Sequence, residues 1–500
     1  MDDDVERRES LAAYRAARMP QFVAAISACI GAVEVGAILG YSSPAGLQLT
    51  SRMNSTTFNA TEGIHLFDDT FFLRKRQMAW VSSVVSLGAL WGGLMGGTAL
   101  NVFGRRGTML LSLVPAVIGW LLIALAVNFP MLLAGRIGTG VFVGLTCVSV
   151  NTYIGEIASS DIRGTLGSGF QLMVNAGFLV AYSFGIILDW YYLAFLCISI
   201  PLLFTVAMFF NKESPVYLLS KGRDQEALES LKFLRGPNYP VQSELRNMRL
   251  ALHERNTKQV HFTELFLTPH LARPFMVSVT LMFFQQFSGA NAVLFNLSTI
   301  FKSAGTDIPE SLSSVIVGIV FILGTFLSSI VIDKIGRKVL LSISAGMMCI
   351  SHVGLGYFFY QLDYAEKWTL ETIPWLPLLA LVVFMFGFAI GFAPVPWLMM
   401  GELFSSETRE LASSMVTAAN WFFSFVVTVT FEYIQIVILD FGAYWMYATI
   451  CMAALVFSAC IVKETKGKDL EQIMEMFGGP KVVMVMPQTA EARTAQPLLS

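Results

Sequence analysis

Gly104-Arg105-Arg106, then Glu156 and Arg163, recur in the same order as Gly336-Arg337-Lys338, then Glu402 and Arg409. A third element closes each set: Glu213 in Glu213-Ser214-Pro215, and Glu464 in Glu464-Thr465-Lys466-Gly467. Equivalent elements lie 232, 246 and 251 residues apart, about half of the 500-residue chain. Charged sets repeated between apolar stretches point to two matched membrane bundles with a polar latch at one end, the layout of alternating-access carriers.

The stretches between the charges are apolar enough to carry that reading. The chain is 55% hydrophobic and 14% charged, whereas soluble domains carry about 25% charged residues; mean hydropathy is +0.63. A crossing helix needs about 20 apolar residues. Twelve such blocks occur, roughly over 21–47, 78–103, 107–127, 130–156, 165–187, 190–211, 272–300, 310–331, 338–360, 374–400, 411–433 and 440–462. Backbone groups in lipid must be satisfied within the segment, so all twelve are predicted as helices. The expected fold is an all-α membrane protein of twelve transmembrane helices in two six-helix bundles. The bundles are expected over 21–211 and 272–462, with a terminus of residues 1–20 before them and a tail of 463–500 after them. Residues 212–271 form the one long connection between the bundles, with amphipathic helical stretches such as Glu226-Ala227-Leu228-Glu229-Ser230-Leu231.

Basic residues set the orientation. Six of the 33 Lys and Arg (Arg52, Arg74, Lys75, Arg76, Lys302, Lys367) fall opposite the termini and Arg136 lies within a span, which leaves 26 on the side of the termini. That asymmetry predicts cytoplasmic termini. The charged first 20 residues lack the uninterrupted apolar region of a cleaved signal, so the first span is expected to double as an insertion signal. Outside, residues 48–77 carry two glycosylation sequons, at Asn54 and Asn59. A net charge of −2 gives no reason to expect nucleic acid. The six cysteines lie in or at the ends of spans without paired spacing. They read as packing residues, and neither a metal nor a cofactor is expected.

Further motifs appear in order: Gly40-Tyr41-Ser42-Ser43-Pro44, Arg136 with Gly140, Tyr153 with Glu156-Ile157-Ala158, Gln171, Gln285-Gln286-Phe287-Ser288-Gly289-Ala290-Asn291, Pro394-Val395-Pro396-Trp397, and Asn420-Trp421. With the charged sets they resemble the sugar-porter branch of the major facilitator superfamily over roughly residues 20–475. The opening motif and long first loop are similar to the class III hexose facilitators and the insect facilitated trehalose transporter-like proteins. Some positions depart from the family pattern. Asn101-Val102 stands where Asp-Arg is usual, Asn151, Lys212 and Lys463 stand where prolines are, and Asn296 replaces a tyrosine.

The resemblance implies a sugar site at Gln171, Gln285, Gln286, Asn291, Trp397 and Asn420. Hexoses need groups that both donate and accept hydrogen bonds, plus apolar faces for the ring, and amides and Trp supply these. Gln285, Gln286 and Asn291 do not share one helix face, since five or six residues advance by about 140–240°. They meet in one cavity only if the helix unwinds near Ser288-Gly289. Alone, such amides more often serve as hydrogen bonds between helices; the family positions of the others favour a site. The resemblance also implies a gate at Trp397, flanked by Pro394 and Pro396.

Arg105, Arg106, Glu156 and Arg163 are expected to cluster at the cytoplasmic ends of the first-half spans, and Asp333, Arg337, Lys338, Glu402 and Arg409 at those of the second half. Glu213 and Glu464 are expected to reach across to the basic groups through bidentate Arg–carboxylate bonds, holding the cytoplasmic side shut until the halves rock.

Proton-coupled members of the family carry a first-span Asp near the fourth-span Arg. Arg136 is present here, but the matching position is Ser42, which favours a passive carrier. Glu34 points the other way, because an acid in mid-span is expensive and usually functional. A neutral hydrogen-bonded carboxyl, a cavity-lining group and a proton carrier all remain open for it, with Arg136 as a coupling partner. His352, also mid-span, carries a similar but weaker flag.

The resemblance therefore implies facilitative transport of a sugar, glucose-like or trehalose, by alternating access. A monomer at the plasma membrane without enzymatic activity is expected, the Pro497-Leu498-Leu499 ending leaving an endosomal or lysosomal membrane open. Proton-coupled sugar or polyol symport and a non-transporting sugar sensor are the alternatives.

Overall fold

The computed structural model describes residues 16–51, 73–159, 161–237, 239–257, 262–305, 309–364, 373–404, 408–468 and 470–478. The sequons at Asn54 and Asn59, the side chain of Arg409 and the last 22 residues lie outside the described residues.

The first bundle comprises α1 (Arg18–Gly40), α2 (Ser42–Ser51), α3 (Lys75–Leu111), α4 (Leu113–Ala124), α5 (Phe129–Ile157), α6 (Arg163–Phe184) and α7 (Trp190–Phe209). The connection folds into α8 (Pro215–Ser220), α9 (Asp224–Arg235), α10 (Val241–Thr257) and α11 (Phe262–Leu267). The second bundle comprises α12 (Pro269–Phe287), α13 (Ala290–Ala304), α14 (Glu310–Ile335), α15 (Arg337–Tyr364), α16 (Leu376–Ile390), α17 (Val395–Leu403) and α18 (Arg409–Cys460). A last helix, α19 (Leu470–Met476), follows.

Among the described residues, eight helical runs are long and apolar enough to cross a membrane. Two of them, 75–124 and 411–460, each hold two spans, because the backbone breaks at Gly104 (φ 81°) and at Leu439 (φ 63°). Helix α6 and the broken pair α12–α13 complete the twelve. This is the twelve-helix, two-bundle fold of a multi-pass membrane protein. Spans 1, 7 and 10 are each made of two helices, α1–α2, α12–α13 and α16–α17.

Small residues let helices approach closely where lipid supplies no hydrophobic drive. A Cβ on Gly36 would lie 1.8 Å from the Val174 carbonyl oxygen, and one on Gly177 2.0 Å from that of Val33, so spans 1 and 5 touch backbone to backbone. The α8–α10 connection has its own small core of Tyr217, Leu218, Leu219, Ala227, Leu231, Val241 and Leu245. It is tied to the first bundle where Arg235 donates to the Ile157 carbonyl at 2.7 Å and pairs with Glu244 at 2.7 Å. Helix α19 is a feature the polar tail does not advertise: Ile473 is buried, as is Phe477 just beyond the helix.

The two bundles meet through α2 on α13, α3 on α18, and α6 on α14. Hydrogen bonds cross between Ser43 and Ser298 (2.9 Å), between Ser86 and Ser424 (2.9 Å), from Tyr182 to the Leu294 carbonyl (2.8 Å), and from Asn175 to Thr325 (2.7 Å). These contacts sit at mid-span or in the half away from the repeated charges.

Candidate functional site

Span 7 breaks where its sequence suggests. Helix α12 ends at Phe287, Gly289 takes a left-handed conformation (φ 83°, ψ 6°), and α13 starts at Ala290. The break carries Gln285, Gln286 and Asn291 into one hydrogen-bonded chain. Asn291 donates to Gln286 Oε1 (2.6 Å) and to Ser424 Oγ (2.9 Å). Gln286 donates to Asn420 Oδ1 (3.2 Å), and Asn420 donates to Gln285 Oε1 (2.7 Å). Gln285 donates to the carbonyls of Phe392 (2.8 Å) and Ala393 (3.1 Å), which the break between α16 and α17 frees from helical bonding.

Ser424 joins this chain to Ser86 of the first bundle. Neither serine stands out in the sequence, since a serine in a span ordinarily bonds its own helix. Gln285, Gln286 and Asn420 are buried, whereas Asn291 and Trp397 are partly open. Gln171 stands apart from the chain and donates to Asn175 Oδ1 (3.0 Å), which in turn bonds Thr325 across the bundle boundary. The cluster is neutral and rich in paired donors and acceptors, and each bond is worth only about 0.5–1.5 kcal/mol net. A polyhydroxylated ligand can therefore exchange with them at little cost.

The charged sets are brought together at one end, in two copies of the same geometry. Arg105 makes two bonds to Glu156, at 2.8 and 2.6 Å, and Ser214 Oγ donates to the same carboxylate. Arg337 donates to Glu402 at 2.7 Å and pairs with Asp333 at 2.9 Å, and Thr465 donates to Glu402 at 2.5 Å. Sequence reasoning misses Ser214 and Thr465, although they follow Glu213 and Glu464 at the same repeat distance.

Several expected partners differ. Glu213 and Glu464 do not take guanidinium groups. Glu213 accepts from the backbone N–H of Arg105 (3.0 Å) and Arg106 (3.1 Å), and Glu464 from those of Arg337 (3.0 Å) and Lys338 (3.0 Å). These N–H groups open helical segments, where orphan donors and the helix dipole favour an anion. Burial raises the Glu464 carboxyl, but the N–H groups of Arg337, Lys466 and Lys338 outweigh it and hold it below its ordinary value.

Each glutamate also explains the glycine beside it. Gly104 and Gly336 have φ of 81° and 102°, and a Cβ there would lie 2.5 Å from Glu213 Oε2 and 2.6 Å from Glu464 Oε2. The Arg106 guanidinium closes the end of α7 instead, donating to the carbonyls of Met208 (3.1 Å) and Phe209 (2.6 Å). Arg163 reaches the Ala158 carbonyl (3.4 Å) and stays exposed. All these ion pairs stay within one bundle, so they lock the helix ends of that bundle to each other and do not join the halves.

Glu34 and Arg136 are both fully buried but have separate partners. Trp120 donates to Glu34 Oε1 at 2.5 Å, and Glu34 Oε2 has no hydrogen-bond partner among the described residues. Arg136 donates to the carbonyls of Val81 (3.2 Å) and Ile38 (2.8 Å) and to Ser42 Oγ (2.6 Å).

The family described as "Sugar (and other) transporter" matches residues 24–477. The chain is 38% identical over 463 residues to the facilitated trehalose transporter Tret1 of Apis mellifera ligustica, which covers 92% of this chain and 88% of that one. It is 39% identical over 461 residues to a facilitated trehalose transporter Tret1-2 homolog of Drosophila sechellia, covering 92% and 91%. Among solved structures it is similar to the inward open conformation of the xylose transporter XylE from E. coli, with a TM-score of 0.74, 24% identity, and coverage of 91% of this chain and 99% of that one.

Proposed function

This chain belongs to the sugar (and other) transporter family, and we propose that it carries a sugar passively across a membrane by alternating access. The observation that carries the proposal is the amide chain from Gln285 through Asn420 and Gln286 to Asn291, set at the break of span 7. A sugar enters by exchanging its hydroxyls for bonds that the amides now make with one another, with Trp397 against the ring and Gln171 approaching from the other bundle. The trehalose transport named for the insect relatives makes trehalose, beside glucose, the first substrate to test.

The charged end faces the cytoplasm in this reading, with both termini on that side and the protein at the plasma membrane. Contacts between bundles in the half away from the charges support a carrier closed on the outside. The repeated charges then act as braces: each keeps the ends of its bundle rigid while the two bundles rock as bodies. A single chain contains both halves of the site and works as a monomer.

The test is uptake of radiolabelled glucose, fructose and trehalose by vesicles containing the purified protein, with and without an imposed pH gradient. Saturable uptake of one of them that ignores the gradient is expected. Uptake of none by folded protein refutes sugar transport, and accumulation driven by the gradient refutes passive transport.

A further inference from the structure

We propose that His352 is a positioning residue: it captures the carbonyl released by the break in span 7 and thereby sets how Gln286 and Asn291 face each other. This rests on the reading of those amides as the sugar site.

In an unbroken helix the Ser288 carbonyl would accept from the N–H of residue 292. The left-handed Gly289 removes that bond; the first bond across the break runs from Val293 N to the Gly289 carbonyl at 2.9 Å. A bare carbonyl in a span has no water to bond and is costly, so something must take it. His352 of span 9 does, with Nε2 2.8 Å from Ser288 O. A carbonyl only accepts, so Nε2 carries the proton, which leaves Nδ1 bare; Nδ1 has no hydrogen-bond partner among the described residues. The Cys451 thiol points at the same carbonyl from 3.9 Å.

The imidazole is 1% exposed and its plane is held by Phe384 (4.5 Å between centroids) and Tyr447 (5.7 Å). Tyr447 also presses on the break itself, its ring lying 3.0 Å from where a Gly289 Cβ would be. Spans 9 and 12 thus both contact the break, and Gln286 and Asn291 meet across it at 2.6 Å. Tilting α13 against α12 would open that contact first.

The experiment compares wild type with His352→Phe, His352→Gln and Cys451→Ala in vesicles, reading KM and Vmax for radiolabelled glucose and trehalose; Gln286→Ala and Asn291→Ala run beside them. Phe keeps the ring contacts and loses the donor, and Gln returns an N–H. His352→Phe is expected to raise KM by about tenfold with Vmax within about threefold, and His352→Gln to recover most of the affinity. An unchanged KM in His352→Phe overturns the proposal, as does equal loss in the Phe and Gln variants, the mark of simple packing. If His352→Phe does not fold, His352→Gln against His352→Leu decides by the same criterion. If Gln286→Ala and Asn291→Ala leave KM unchanged, the sugar-site reading itself fails; if they raise KM while His352→Phe does not, only the positioning role fails.

Discussion

Thr465 donates its hydroxyl to Glu402 at 2.5 Å, in the place where Ser214 donates to Glu156 in the first bundle. Each carboxylate is thus gripped from two sides, by an arginine from the start of a span and by a hydroxyl from the strand of chain that leaves the bundle.

Removing the charge should loosen that grip without touching the amides. Charge-assisted hydrogen bonds contribute about 1.5–3 kcal/mol. Glu156→Gln and Glu402→Gln are therefore expected to slow transport by about tenfold or more while KM shifts by less than about threefold. Thr465→Val removes a single bond and should have a smaller effect in the same direction. Initial-rate uptake across a concentration series separates rate from affinity; a KM effect as large as the rate effect would place these residues at the sugar instead.

Gly104→Ala and Gly336→Ala should both destabilise. With φ of 81° and 102° and ψ of 179° and 160°, both sit in a region essentially reserved for glycine, which costs an L residue about 1–3 kcal/mol, and the new Cβ would displace a carboxylate from its N–H groups. Gly97→Ala, with nothing within 4 Å of the new atom, is the matched control. Thermal unfolding in detergent should show both brace variants melting several degrees lower and the control unchanged.

The brace at Glu464 should survive mild acid. Its carboxyl is held below the ordinary value of 4.5, so the charged form is the one favoured in the folded protein. Its stabilising effect is fully present above that ordinary value and is lost as pH falls through the lowered one. Melting temperature should not respond through this group between about pH 8 and 5.5. Wild type and Glu464→Gln should differ by a constant amount over that range and converge only in strong acid. A difference that vanishes near neutral pH would contradict the assignment.

Glu34→Gln should leave the carrier passive and active. Trp120 can still donate to the carboxamide oxygen, and Arg136 is occupied by Ser42 and two carbonyls. Uptake within about threefold of wild type, with no response to an imposed proton gradient in either protein, is expected. Gradient-driven accumulation abolished by Glu34→Gln would make this carboxyl the proton carrier.

Hydropathy, the repeated charges and the ordered motifs determined the twelve spans, the two bundles, the break at Ser288-Gly289 and the family. These are readable because they depend on local composition, on the few residues that can break a helix in lipid, and on a repeat that can be counted. The tertiary structure alone decided who bonds whom. It gave Glu213 and Glu464 backbone N–H groups in place of guanidinium groups, and it enlisted Ser214 and Thr465. It also left Arg163 at the surface, gave Glu34 and Arg136 different partners, and delivered His352 to the Ser288 carbonyl. A side chain's type states which bonds it is able to make. Which one forms depends on helix rotation and on the approach of residues tens to hundreds of positions away, and no local pattern encodes that.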